Sequence, residues 1–192
     1  MSNTTKIALE ASLKKLMLQK PFDKITINDL TKDCGISRMT FYNHFKDIYD
    51  LVEWSCEEDG KQALQNNNTY DTWQEGLYQI FQAVLANKPF ILNVYRTVSR
   101  EQIENYLFGL TRDLIENVVE EKSVGREISL EDKLFIAGFY KYSFVGIMLD
   151  WIKQGMKEEP QIHVEKISLT VRGNIANSVR NFEIARKEHK IE

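Results

Sequence analysis

Little in this chain is available for cross-linking, metal binding or redox chemistry. Its 192 residues include two cysteines, Cys34 and Cys56, and three histidines, His44, His163 and His189. Two cysteines make no disulfide framework, and each reads as a small buried hydrophobe. No histidine has a cysteine or a second histidine at metal-ligand spacing, so no metal or other cofactor is expected. The chain also lacks a phosphate-binding P-loop, a dinucleotide glycine pattern and a G-x-S-x-G nucleophile turn. Its acidic runs, Glu57-Glu58-Asp59 and Glu120-Glu121, read as solvated faces. An enzyme is therefore not expected. No apolar run approaches the roughly 20 residues that span a bilayer. The opening MSNTTKIALEASLKK has no apolar signal core. A cytoplasmic protein without membrane contact is the expectation.

What the chain does contain is helix. Hydrophobic residues are 43% and charged residues 28%, an ordinary globular mix, and the length suits one or two domains. Strand alternation, internal repeats and low-complexity tracts are absent. The net charge is −3. Residues 1–50 carry 8 basic against 6 acidic side chains, and the remainder 17 against 22. A partner of opposite charge needs cations on one face, not throughout. Lys6, Lys14, Lys24, Lys32, Arg38 and Lys46 are the cations available there to an anion.

The run Ile25–Phe45, ITINDLTKDCGISRMTFYNHF, organises the chain. Thr26 caps a short helix, with Asp29 three residues on in a capping-box relation. Ile27 and Leu30 face inward. Gly35 suits a left-handed turn, and Ser37 caps a second helix from about Arg38 to His44. Phe41 and Phe45, four apart, face the core. Arg38, Met39, Thr40, Tyr42, Asn43 and His44 remain outside. A short helix with a polar, aromatic and cationic outer face, held across a tight turn, is the design of a helix-turn-helix reader. It is equally the geometry of an ordinary hairpin in a bundle.

The residue run separates these two readings. Phe22, Ile25, Thr26, Ile27, Leu30 and Thr31, followed by Gly35, Ile36, Ser37, Arg38, Thr40, Phe41, Tyr42, His44, Phe45 and Lys46, closely resemble the N-terminal DNA-binding domain of TetR-family transcriptional regulators. Met39 departs from that pattern, standing where a small residue or proline is frequent. Ile48 stands where the family often places a phosphate-binding lysine. The resemblance implies a reader of double-stranded DNA. Arg38, Thr40, Tyr42 and Asn43 then enter or flank the major groove, with Arg38 suited to bidentate contact with guanine. Thr26, Tyr42, His44 and Lys46 hold the phosphate backbone, and Ser37 and Met39 complete the DNA-binding set.

In chain order, Asn3 or Thr4 caps a first helix to about Gln19, with Ile7, Ala8, Ala11, Leu13, Leu16 and Met17 at helical spacing. Lys20-Pro21 stops it. Phe22 plugs a small core with Ile27, Leu30, Ile36, Phe41 and Phe45. Asp47 opens a fourth helix to about Gln65, followed by a polar loop over 65–69. Further helices are expected from Asp71 or Thr72 to Ala86, over Phe90–Val98, from Ser99 to Glu121, from Ser129 to Gln154, and from His163 to Lys187. The expected fold is all-α with about nine helices. A three-helix helix-turn-helix domain covers 1–47, and a larger helical bundle for dimerisation and effector sensing covers 48–192.

The helix from Ser129 is apolar nearly all round, so it must be buried on every side. Either it fills a monomeric core or one side meets a second subunit. TetR-like proteins pair through a four-helix bundle of their last two long helices, so the resemblance favours a homodimer. The residues implied are Phe144, Ile147, Met148, Trp151, Val171, Ile175, Val179 and Phe182. The run from Phe139 to Glu158 further resembles the dihydroxyacetone-kinase-regulator subgroup of that family. A two-fold dimer places two reading helices about one DNA turn, roughly 34 Å, apart and implies a palindromic operator.

By family analogy, Tyr78, Phe81, Tyr95, Tyr106, Phe139 and Tyr142 are candidates to line an effector pocket. Arg96, Arg100 and Arg112 are available to an anion. Aromatics at helical spacing are more often core, and arginines more often surface ion pairs. The competing expectation is a helical interaction module whose C-terminal domain binds a partner protein rather than a small molecule.

Overall fold

A computed structural model describes residues 3–64 and 69–188. Residues 65–68 of the expected polar loop, the expected helix end at Gln65, and His189 lie outside the described residues. The chain folds into α1 (Asn3–Met17), a 3-10 turn (Phe22–Lys24), α2 (Ile27–Cys34), α3 (Arg38–Tyr42), α4 (Ile48–Leu64) and α5 (Trp73–Ala86). It continues with α6 (Lys88–Thr97), α7 (Arg100–Ser123), α8 (Leu130–Lys153), α9 (Pro160–Val171) and α10 (Asn174–Lys187). The described residues contain no strand. The nine expected helices are present, and the ninth is divided in two.

Local chemistry accounts for most of the boundaries. Thr26 and Ser99 form capping boxes with Asp29 and Gln102, and Ser129 accepts from the Asp132 amide. Asp47 accepts from the Asp50 amide at 2.9 Å and so caps α4. Gly35 closes α2 at φ 66°, where a side chain would be strained. Gly173, at φ 75°, divides the expected last helix. The arrangement differs from expectation in two further places. Asn3 and Thr4 lie within α1 rather than capping it. Its buried face is Leu9, Ser12, Leu13 and Met17, while Ile7, Ala8 and Ala11 are exposed. The inward face is set by where α2 and α4 pack, and periodicity alone placed it one step away.

Leu9, Leu13, Phe22, Ile25, Leu30, Phe41, Phe45 and Leu51 close a small core under α1–α3. Ile27 and Ile36 pack on it, partly buried. In the larger unit α7 is central, packing mainly on α8 and α4 and also on α5 and α10, while α9 packs on α5. No helix among the described residues is long and apolar enough to cross a membrane.

Two polar straps join the small unit to the large one. Lys14 of α1 donates to Glu10 at 2.7 Å and to both Asp59 oxygens of α4 at 2.8 and 2.9 Å, and Ser55 donates to Glu10 at 2.8 Å. Burial works to lower the Lys14 ammonium, but the hydrogen bonds to Asp59 and Glu10 outweigh it and raise its pKa. Burial also raises the Asp59 carboxyl above the usual carboxylate value. The second strap is Asn93 of α6. Its amide donates to the Met17 and Lys20 carbonyls at 3.0 and 3.1 Å, and its oxygen accepts from the Phe22 amide at 2.9 Å. One side chain thus satisfies the end of α1 and the start of the next turn.

Candidate nucleic-acid interface

The α2–turn–α3 pair presents a short helix on a rigid base. Phe41 and Phe45 are sealed beneath it, with ring centroids 5.9 Å apart. Cys34 donates its thiol to the Ala8 carbonyl at 3.4 Å, tying α2 to α1. α3 ends at Tyr42, shorter than expected, with Asn43 at its C-terminal boundary and the chain turning through His44 to Phe45. Above this base, Ser37, Arg38, Met39, Tyr42, Asn43 and Lys46 are exposed, and Thr40 and His44 are half-buried. Met39 is 70% and Tyr42 48% exposed, large apolar side chains left in water on a five-residue helix. Tyr42 meets the sealed Phe41 ring at 5.6 Å, yet about half of it, and most of Met39, stays in water.

Lys32, Arg38 and Lys46 make no ion pair among the described residues, and their charge faces solvent. Lys14 does not belong with them, because Glu10 and Asp59 occupy it. Ser37 accepts from the Thr40 amide at 3.0 Å, and the two hydroxyls are 2.9 Å apart. One hydroxyl hydrogen serves that contact, which leaves the other for an external acceptor. Thr26 is exposed, but its hydroxyl donates to Asp29 at 2.7 Å and accepts from the Asp29 amide at 3.2 Å. Its first duty is the cap, worth about 1 kcal/mol.

Lys20 and Thr26 converge on one Asp29 oxygen. The Lys20 hydrogen bond, then those from Thr26, hold the Asp29 carboxyl down at about 2, from 3.8. A depressed carboxylate stabilises the fold above its unfolded pKa and loses that contribution as pH falls through the folded one. The stability difference between wild type and Asp29→Asn is therefore expected to be constant above about pH 5 and to shrink between about pH 4 and 2. Urea midpoints across that range measure it, and a pH-independent difference refutes the assignment.

The residues expected at a dimer interface divide by burial. Phe144, Met148, Trp151, Ile175 and Val179 are buried inside the protomer, Val171 and Phe182 are half-buried, and Ile147 is 37% exposed. The first five fill the chain's own core. Phe144 stacks on Trp73 and Trp151 meets Phe81, both of α5, and α8 and α10 pack on α7 and on each other. The apolar residues left in water on α8 are Leu130 at its start, at 70%, then Leu134 at 56%, Phe135 at 66%, Phe139 at 63%, Tyr142 at 63% and Ile147. Gly138 and Gly146 lie on the same helix with open space above them.

The six aromatics expected around an effector are not gathered together. Phe81 stacks on His163 and packs against Trp151, with centroids 5.7 and 5.1 Å apart. Tyr106 is buried against α4, and Tyr78 and Tyr95 are half-buried. Phe139 and Tyr142 belong to the exposed face of α8. A cavity of about 440 Å3 opens between α8 and the α9–α10 pair, lined by Phe139, Tyr140, Phe144, Ile147, His163 and Lys166 among others. Burial lowers the His163 pKa, against the pull of the Glu158 carboxylate 3.2 Å away. Among the expected anion partners, Arg100 pairs with Glu104 and Arg112 with Glu57, while Arg96 has no ion pair among the described residues. Sequence reasoning did not single out Asn93. Its signal was one amide in the apolar run from Phe90 to Tyr95.

Comparison with known proteins places both units. Residues 9–53 match the profile described as bacterial regulatory proteins, tetR family, and residues 71–173 match the transcriptional regulator C-terminal region. The HTH-type dhaKLM operon transcriptional activator DhaS of Lactococcus lactis is 26% identical over 154 residues, covering 79% of this chain and 81% of that protein. Among solved structures, the dihydroxyacetone kinase operon activator DhaS superposes with a TM-score of 0.64 at 21% identity, covering 95% of this chain and 99% of the other. The TetR family repressor AlkX from a Dietzia strain superposes with a TM-score of 0.53 at 15% identity, covering 91% and 96%.

Proposed function

The chain belongs to the TetR family of transcriptional regulators, and on that premise we propose that it binds a palindromic operator as a two-fold dimer and is modulated through its C-terminal helices. Residues 1–47 read DNA, and residues 48–192 pair the subunits and receive the signal. The observation that carries the DNA-binding reading is the outer face of α3. Arg38, Met39 and Tyr42 are exposed there, with Asn43 just beyond, over a base closed by Phe41 and Phe45. Arg38 reads guanine and Asn43 a base or a phosphate. Lys46, His44 and the spare Ser37/Thr40 hydroxyl hydrogen hold phosphates.

The exposed face of α8 suits a second copy. Leu134, Phe135, Phe139, Tyr142 and Ile147 leave apolar area in water along this helix, and the small residues Gly138, Ser143 and Gly146 allow helices to approach closely. An isologous contact of that face with itself sets two α3 helices at one separation, and half-site spacing follows. Phe139→Glu puts a charge into this contact at a side chain that is 63% exposed and meets the protomer's core through its ring contact with Tyr140. Sedimentation velocity is expected to show a folded monomer with reduced operator affinity. A dimer that survives the change excludes this face.

The two straps supply a physical route for modulation. A signal that shifts α4 or α6 moves Asp59 or Asn93 and so re-aims the reading unit. A coupling of about 1–3 kcal/mol changes affinity roughly 5- to 150-fold. The curated relative is an activator and one structural neighbour a repressor. The sign of control here is set by where the operator lies relative to the promoter.

Fluorescence anisotropy over a salt series, with duplexes from around the chain's own gene, tests the reading. Preferential binding to one duplex supports it. Lack of even nonspecific binding at low salt overturns it and favours a protein-interaction module presented by α8.

A further inference from the structure

Lys6 has an unusual environment for a lysine near a chain terminus. It is half-buried on α1, and its ammonium nitrogen lies 5.2 Å from the ring centroid of Phe45 and 5.2 Å from that of Trp54. The two rings are themselves 5.8 Å apart. No carboxylate pairs with Lys6 among the described residues. The acid one turn along its own helix, Glu10, is engaged by Lys14 and Ser55. Two ring faces orient a cation without neutralising it, so its charge remains available to an anion.

The two rings come from different parts of the molecule. Phe45 follows the reading helix by three residues and packs on Phe41. Trp54 belongs to α4, which continues into the larger unit. Lys46, next to Phe45, is exposed and has no ion pair among the described residues. Two available cations therefore flank the C-terminal end of α3, one of them held in place by a ring from the linking helix.

We propose that Lys6 contacts a DNA phosphate and that Trp54 is its positioning residue, so that the placement of α4 controls one backbone contact. The proposal rests on the DNA-binding reading above and deepens it. When α4 shifts, Trp54 leaves the ammonium, Lys6 regains its rotamer freedom, and the ordered contact is lost while α3 itself is unchanged. Affinity then falls on every sequence alike, and base preference is retained.

The test is a salt series by fluorescence anisotropy on the preferred duplex and on one with a single base-pair change, comparing wild type with Lys6→Gln, Lys46→Ala, Trp54→Leu and the Lys6→Gln/Trp54→Leu pair. Each phosphate contact contributes about 0.9 to the slope of log affinity against log salt. Lys6→Gln is expected to reduce the slope by about that amount with base preference unchanged. Trp54→Leu should lower the slope in the presence of Lys6 and add nothing once Lys6 is gone. Trp54→Phe, which keeps a ring, should fall between wild type and Trp54→Leu, and it serves if the leucine variant does not fold. If Lys46→Ala lowers the slope and Lys6→Gln does not, the proposal fails while the DNA-binding reading stands. If Lys6 and Trp54 act additively, the positioning role is overturned. If wild type binds no duplex, both fail together.

Discussion

Arg38→Ala is expected to lose about 1–3 kcal/mol of operator affinity, concentrated at particular base pairs, with no loss of stability. The side chain is exposed and pairs with no carboxylate among the described residues, so its removal costs the fold little. It is the first residue of α3, directly after the Ser37 cap, where a reading helix presents side chains to base edges. A guanidinium is a rigid fork matching two guanine acceptors, whereas an ammonium is a point charge. Arg38→Lys should therefore restore nonspecific affinity but not discrimination. Anisotropy against duplexes with single base-pair changes separates the two effects. If Arg38→Ala weakens all duplexes equally, Arg38 holds phosphate instead, and the reading role passes to Asn43 and its neighbours.

Gly60→Ala is expected to destabilise the protein, although alanine is the better helix former by about 1 kcal/mol. A Cβ at this position would lie 2.9 Å from the Leu110 Cα and 3.1 Å from the Leu110 carbonyl oxygen. These are backbone atoms of α7, so no rotamer change relieves the contact and the helices must part. Overpacking of this kind costs about 1–3 kcal/mol, and at a backbone-to-backbone contact it outweighs the propensity gain. A chain of this length loses roughly 2–4 °C of melting temperature per kcal/mol. Gly109→Ala is the internal control. Its Cβ would meet the Glu57 Cγ at 2.9 Å, a side chain that can swing away. Thermal melts should show a clear drop for Gly60→Ala and a smaller one for Gly109→Ala. Because α4 carries Asp59 and Trp54, the displaced helix should also weaken DNA binding beyond its effect on stability.

The reading unit was legible in the chain because its determinants are local. Thr26 with Asp29, Gly35, and Ser37 with Thr40 each satisfy backbone groups within a few residues of themselves. Phe41 and Phe45 meet their core at a fixed helical offset. The same locality explains the boundaries marked by Ser99 with Gln102 and by Ser129 with Asp132. What periodicity could not say is which partner an apolar side meets. In α8 the residues are apolar nearly all round, yet Phe144 and Met148 point into the protomer while Phe139 and Tyr142 point out. The difference comes from where α7 and α10 dock, on helices that the local spacing of α8 does not specify. The scattering of Phe81, Tyr106 and Phe139 has the same cause.

The sequence by itself therefore determined the all-α class, the helix-turn-helix and the residues of its outer face, since each depends on contacts within about one helical turn. Only the tertiary structure decided which face of α8 stays in water, that Lys14 belongs to Glu10 and Asp59 rather than to DNA, and that Asn93 bonds across 71 to 76 residues to the end of α1 and to Phe22. Those contacts join residues far apart in the chain, and hydrophobic spacing carries no information about which distant helix will be opposite.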